Sequence, residues 1–375
     1  MSDLAITGLL VLSLFLILGS GVWIGLTLSG VAWIAMQLFS ARPAGDAMAV
    51  TIWGSASSWT LTALPLFIWM GEILFRTRLS QDMFKGLAPW VQALPGRLLH
   101  TNVVGCTIFA AVSGSSAATC ATIGKMTLPE LQRRGYPSHM VVGTLAGAST
   151  LGLLIPPSII MILYGIIAQT SITELFLGGV AIGLLTMFSY ILVILIRVKL
   201  NPELAPSVKE EIPMAEKIKA LKDVWPILLV MLGIFGGLFS GVFTPTEAGA
   251  IGAFLSCVVA VIARQLTWER FKNAILETLL TTTGLLIIGI GASLLQRFLA
   301  LSGAGTYISE LIIGQNADIA WVLLGIVMIY LLLGMFLEPI GAMLLTLPIV
   351  LPIINSAELS LVWFGVVLTK LLEIG

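Results

Sequence analysis

Residues 113–124 read Ser-Gly-Ser-Ser-Ala-Ala-Thr-Cys-Ala-Thr-Ile-Gly, and residues 152–158 read Gly-Leu-Leu-Ile-Pro-Pro-Ser. The first stretch is small and hydroxyl-rich, yet it follows the apolar run Val103–Val112. Polar, glycine-bearing backbone at membrane depth lacks hydrogen-bond partners unless protein or a watery cavity surrounds it. The apolar arms on either side are each about ten residues long. That is too short to span a bilayer, so 103–131 reads as a re-entrant helical hairpin. The second stretch interrupts the apolar segment 138–169. An unbroken helix of that length would overshoot the bilayer at about 1.5 Å per residue, and its paired prolines remove two amide donors and free carbonyls upstream. Residues 138–169 therefore read as one discontinuous helix.

The rest of the composition agrees with a membrane setting. Of 375 residues, 58% are hydrophobic and 10% charged, and the mean hydropathy is +1.05. No soluble domain of this size carries such a surface, so the chain is an all-α polytopic membrane protein. Lys plus Arg and Asp plus Glu both number 19, so no excess charge points to nucleic acid. Cys106, Cys120 and Cys257 lie in apolar surroundings without metal-type spacing and read as small core residues. With only His100 and His139 present, and nothing like a nucleophile elbow or metal-binding helix, the sequence speaks against an enzyme. The first apolar run, Leu4–Leu18, lacks a basic leader and continues into Val22–Phe39, which reads as two spans rather than a cleaved signal.

Further spans are predicted at 59–76, 173–197, 225–241, 245–263, 274–296 and 319–337, with an interfacial segment at 77–100 and a short interfacial helix at 303–316. Residues 338–354 again look like short apolar arms around a glycine-containing break. Glu72, with Arg76 and Arg78 close behind, reads as a carboxylate reaching the interface or as a functional acid. Thr244 and Glu247 have capping-box spacing. Trp53, Trp59, Trp90, Trp225, Trp268 and Trp363 fall near span ends as belt residues. The basic clusters at 76–97, 125–134, 197–222 and 264–272 fall on one side, which the positive-inside rule makes cytoplasmic, with Met1 outside. The hydrophilic stretch 199–223 then links two halves, 1–198 and 224–375, that begin on opposite sides. That is the inverted-repeat arrangement of secondary transporters, in which broken helices hold ions and substrate near the midplane.

An ion such as sodium, bound inside such a protein, needs several oxygens without a stack of charges; unwound carbonyls and hydroxyls provide them. Ser113 and Ser116, three apart, share one face of a turn. The carbonyls of Gly152, Ile155 and Pro157 come free where the prolines break the helix. A helix starting after Gly114 would offer its amides to an anionic substrate, which makes Ser115, and with it Pro156 in the break, a substrate-binding candidate. Glu338 in Met-Phe-Leu-Glu-Pro either contacts substrate or caps the following helix.

These residues carry a family resemblance. LPLFIWMGEIL at 64–74, FAAVSGSSAATCATIGKMTLPELQRRGY at 109–136, GLLIPPSIIMILYG at 152–165, FTPTEAGAIGA at 243–253 and LLGMFLEPIGAMLLTLPIVLP at 332–352 resemble, in order, the large membrane subunit of the tripartite ATP-independent periplasmic (TRAP) transporters. The resemblance implies sodium-driven uptake of an organic anion, often a carboxylate, across a bacterial inner membrane by an elevator mechanism. It implies two protein partners, a periplasmic substrate-binding protein and a small four-helix membrane subunit, besides membrane lipid, and no cofactor other than the coupling sodium ion. It places a first sodium site at Ser113, Ser116, Gly152, Ile155 and Pro157 and a second around Gly341. Family members continue past Glu373-Ile374-Gly375 into a Thr-Pro-Pro break and a last helix, so the second repeat is expected to be C-terminally incomplete here. A stand-alone elevator-type anion transporter needing no binding protein is the alternative.

Overall fold

The structure, a computed structural model, describes residues 12–39, 43–91, 94–206, 213–302 and 319–375. Residues 12–19 are helical. There follow α1 (Ile24–Phe39), α2 (Ala44–Ala56), a 3-10 turn (Trp59–Thr62), α3 (Ala63–Arg76), α4 (Leu79–Val91), α5 (Leu99–Ser113), α6 (Ser116–Arg133) and α7 (Ser138–Ser149). The chain continues through α8 (Leu151–Leu154), α9 (Ile159–Ile167), α10 (Ile172–Leu200), α11 (Met214–Ala220), α12 (Trp225–Phe239) and α13 (Pro245–Ile262). It ends with α14 (Trp268–Ser302), α15 (Ile319–Gly334), α16 (Pro339–Ser356) and α17 (Leu361–Ile374). No strand occurs among the described residues. Residues 4–11 of the first predicted span, the linker residues 207–212 and the predicted helix 303–316 lie outside the described residues.

By length and composition, five described stretches can cross a membrane: Ser138–Ile167, α10, α13, α14 and α16. Only 22% of the apolar window of α10 is buried inside the protein. A helix that is apolar all round and mostly uncovered needs lipid as its solvent. The six tryptophans predicted for the membrane belt are all exposed.

The predicted hairpin is present as α5 and α6 around Gly114 and Ser115, and the discontinuous helix as α7, α8 and α9. Around 338 the structure differs from the sequence reading. The break lies between the end of α15 at Gly334 and the start of α16, and α16 then runs as one 18-residue helix through Pro348 and Pro352. Both prolines lie among hydrophobic residues in a well-buried helix, whose packing offsets the missing backbone bonds.

A three-helix string recurs. The starts of α6 and α16 (Ser116, Pro339), their interior prolines (Pro129, Pro352) and the starts of α7 and α17 (Ser138, Leu361) keep one constant offset. The residues before the two 18-residue helices, Ser115 and Glu338, play the same part: each is an N-cap whose side chain accepts the amide three residues on, Ala118 or Gly341.

Packing divides the chain into two compact units: Thr62–Ile162 with Ile172–Leu279, and Met1–Leu61 with Leu163–Ser171 and Leu280–Gly375. In the first, α13 opens on the predicted capping box, with Thr244 and Glu247 each accepting the other's backbone amide (3.4 and 2.8 Å). Its glycine face then lies on α3: a Cβ on Gly252 would stand 2.7 Å from Met70 Sδ, and one on Gly249 3.2 Å from Leu66 Cβ. The motif at 243–253 is thus a cap followed by a close helix contact. In the second unit α1 and α14 approach equally closely, since a Cβ on Gly291 would lie 2.7 Å from the Gly25 carbonyl. Tyr164 donates to the Leu361 carbonyl (2.7 Å) and fixes the end of α9 to α17.

Candidate functional site

The sequence stops α5 and starts α6 within two residues, because Gly114 adopts a left-handed φ of +59° and Ser115 caps the next helix. A side chain at Gly114 would be strained in that conformation and would also stand 2.5 Å from the Pro157 carbonyl. Across the same contact, a Cβ on Gly152 would lie 2.8 Å from the Ser115 carbonyl carbon and oxygen and 2.9 Å from the Ser116 amide. Two glycines, one in each motif, therefore seat the hairpin tip on the broken helix, backbone against backbone. On the other flank, Gly71 of α3 approaches the Ser113 carbonyl; a Cβ there would be 3.1 Å away.

Hydroxyls and backbone are linked within the tip. Thr119, fully buried, donates to the Ser115 carbonyl at 2.7 Å. Ser113 Oγ and Thr119 Oγ1 lie 2.8 Å apart, either able to donate to the other, and Ser113 Oγ also reaches the Ser115 carbonyl at 3.4 Å. The Ser113 oxygen accepts the Ser115 amide at 3.4 Å. A hydroxyl oxygen keeps lone pairs that can face a cation whichever group its proton points to. The Ser116 hydroxyl makes no hydrogen bond among the described residues. The amides of Ser116 and Ala117, in the first turn of α6, have no intrahelical partner.

The break supplies the second set of oxygens. Pro156 and Pro157 cannot donate to the carbonyls of Gly152 and Leu153, and a cis peptide bond joins the two prolines. Ser158 replaces one missing bond, its hydroxyl donating to the Leu153 carbonyl at 2.5 Å. Gly152 gains no such substitute among the described residues. Ile155 is extended (φ −80°, ψ 121°), so its carbonyl leaves the helical direction. The structure thus brings Ser113, Ser115 and Ser116 together with Gly152 and Pro157, and puts Ile155 and Pro156 in the same turn. Glu338 and Gly341 belong to the other compact unit, where the Glu338 carboxylate accepts the Gly341 amide at 3.2 Å.

Sequence reasoning missed Thr119, Gly71 and Ser158. Thr119 was visible only as three residues past Ser116, and Gly71 and Ser158 gain meaning only through a neighbour far away in the chain. Glu72 is ion-paired with Arg76 at 3.0 Å, and Arg76 is also 3.9 Å from Glu277, which accounts for that acid structurally. Among the described residues no three His, Cys, Asp or Glu side chains come together as metal ligands.

A polytopic helical protein whose oxygens converge where a hairpin tip meets an unwound helix belongs to the class of membrane transport proteins. More particularly, the chain is a member of the DctM component family of tripartite ATP-independent periplasmic transporters, whose family model matches residues 9–375. It is 30% identical over 367 residues to the isethionate TRAP transporter permease protein DctMQ of Oleidesulfovibrio alaskensis, covering 97% of this chain and 56% of that protein. It is 33% identical over 336 residues to the C4-dicarboxylate TRAP transporter large permease protein DctM of Pseudomonas aeruginosa, covering 88% and 76%. The chain thus spans about half of the first relative and three quarters of the second. Both relatives are permeases, not enzymes. In fold it is similar to Neisseria gonorrhoeae MtrF, described among a class of antimetabolite efflux pumps, with a TM-score of 0.50 at 15% identity, covering 88% of this chain and 72% of that one.

Proposed function

We propose that the chain is the large permease subunit of a TRAP transporter that imports an organic anion with sodium. Its partners are a small membrane subunit and a periplasmic binding protein that delivers the substrate to an inner-membrane complex. The observation that supports the sodium reading is the seating of the hairpin tip on the broken helix through Gly114 and Gly152, backbone against backbone, next to the proline break. Ser113, Ser116, Gly152, Ile155 and Pro157 hold the first ion, and residues around Gly341 serve a second. Substrate meets Ser115, Pro156 and the Glu338 region. Relatives named for isethionate and for C4-dicarboxylate support an acidic substrate. The recurring three-helix strings, in halves 1–198 and 224–375 with Met1 outside, are inverted repeats that move as an elevator.

Uptake into vesicles holding both membrane subunits, with the binding protein outside, tests this reading. Accumulation should follow an imposed sodium gradient, and replacing Ser113 and Ser116 together with Ala should weaken apparent sodium affinity about tenfold or more, near 1.4 kcal/mol. Uptake indifferent to sodium would sink the coupling. Unchanged sodium affinity in the double variant would return both serines to a packing role.

A further inference from the structure

A second polar station lies in the other compact unit, at a distance in sequence from the hairpin tip. A cavity of about 850 Å³ opens between α2, the end of α9 and the C-terminal part of α14, and its lining includes Ser58, Gln169, Thr170, Ser293, Gln296 and Arg297. The volume falls in the range of small-molecule sites. No acidic residue lines it, so its formal charge is that of Arg297 alone. Among the described residues Arg297 has no ion pair, and the side chains of Arg297, Gln296 and Gln169 make no hydrogen bond. Arg297 is exposed and lies just past the predicted span 274–296, toward the end of the 35-residue α14, where its guanidinium is open to an anion entering the cavity from water.

Gln169 adds an independent observation. It ends α9 with φ +54°, the left-handed conformation that glycine adopts without strain, while Thr170 donates back to the Gly165 carbonyl at 3.0 Å. Glycine would make the better cap, yet the position carries an amide side chain that lines the cavity. Arg97, Arg264 and Glu358 take the same conformation, so what is particular to Gln169 is its place in the cavity lining.

We propose that this cavity is an anion-binding station in which Arg297 takes the carboxylate or sulfonate of a small organic acid and Gln169 and Gln296 hold its polar body. The planar guanidinium presents two parallel donors to such a head group, and the amides supply further donors. The assignment rests on the proposed transport of an organic anion and gives that substrate a second station in addition to Ser115, Pro156 and the Glu338 region.

The test uses the whole purified protein in nanodiscs, with acetate, succinate and isethionate as probes and intrinsic tryptophan fluorescence as the binding readout. At least one probe should bind the unaltered protein. Arg297→Gln should weaken it tenfold or more, and Arg297→Lys less. Gln169→Gly should weaken binding several-fold while leaving the melting temperature unchanged or higher, an effect that a purely structural role for Gln169 would not give. The sodium-induced thermal shift should survive in all three variants, which separates this site from the hairpin tip. If no probe binds the unaltered protein, or if Arg297→Gln binds as tightly as it does, the proposal is overturned and Arg297 is an interfacial side chain reaching for water. A lost sodium shift in Ser113→Ala/Ser116→Ala alongside unchanged anion binding in Arg297→Gln would sink the cavity proposal and leave the sodium reading standing.

Discussion

At residue scale, the decisive groups at the hairpin tip are two glycines that lack a side chain for a specific neighbour. Gly152→Ala would drive a methyl to 2.8 Å from the Ser115 backbone, and neither side can yield by a rotamer change. Overpacking of that kind costs about 1–3 kcal/mol. At Gly114 a similar clash with Pro157 adds to about 1 kcal/mol or more for an L-residue in the left-handed region. Gly152→Ala should therefore lower the thermal midpoint and sodium affinity together. An alanine variant with unaltered melting and sodium response would show that the tip is not seated on the break. Gly30 is the matched control, because a Cβ there meets nothing within 4 Å.

At the scale of elements, the polar end of α6 is held by charge. Glu130 accepts from Arg134 at 2.6 Å and lies 3.0 Å from Arg133, whose side chain is 77% exposed. The exposed partner contributes little, so the Arg134 pair carries most of an effect of about 0.3–0.5 kcal/mol. The hydrogen bond from Arg134, ahead of the two guanidinium charges, holds the Glu130 carboxyl below the usual range. A depressed acid stabilises the fold at pH values above its unfolded pKa, near 4.3, and loses that contribution as pH falls through the folded value. Glu130→Gln should thus be slightly less stable than the unaltered protein at pH 7 and equal to it in strong acid, as thermal melts across pH would record. A difference that grew on acidification would refute the pairing.

At the scale of the whole molecule, ion binding is linked to stability. A ligand that binds only the folded state stabilises it by RT ln(1 + [L]/Kd), about 2.7 kcal/mol at a hundred times Kd. Exchanging potassium for sodium at constant ionic strength should raise the melting temperature of the purified protein, and removing sodium should reverse the gain. Equal melting in the two salts would contradict a folded-state sodium site. The membrane setting, the hairpin, the broken helix and the membership in a transporter family could all be read from sequence. Each follows from local composition: apolar runs measured against bilayer thickness, prolines that delete donors, and small polar residues where lipid tolerates none. The capping box at Thr244 was legible for the same reason, since its partner is three residues away. Tertiary structure alone decided what those motifs touch. It seated Gly152 on Ser115, brought Gly71 to the Ser113 carbonyl, and gathered Gln169 and Arg297 around one cavity. Such pairings join residues far apart in the chain, and no periodicity encodes them, because what selects them is the shape left when packed backbones approach.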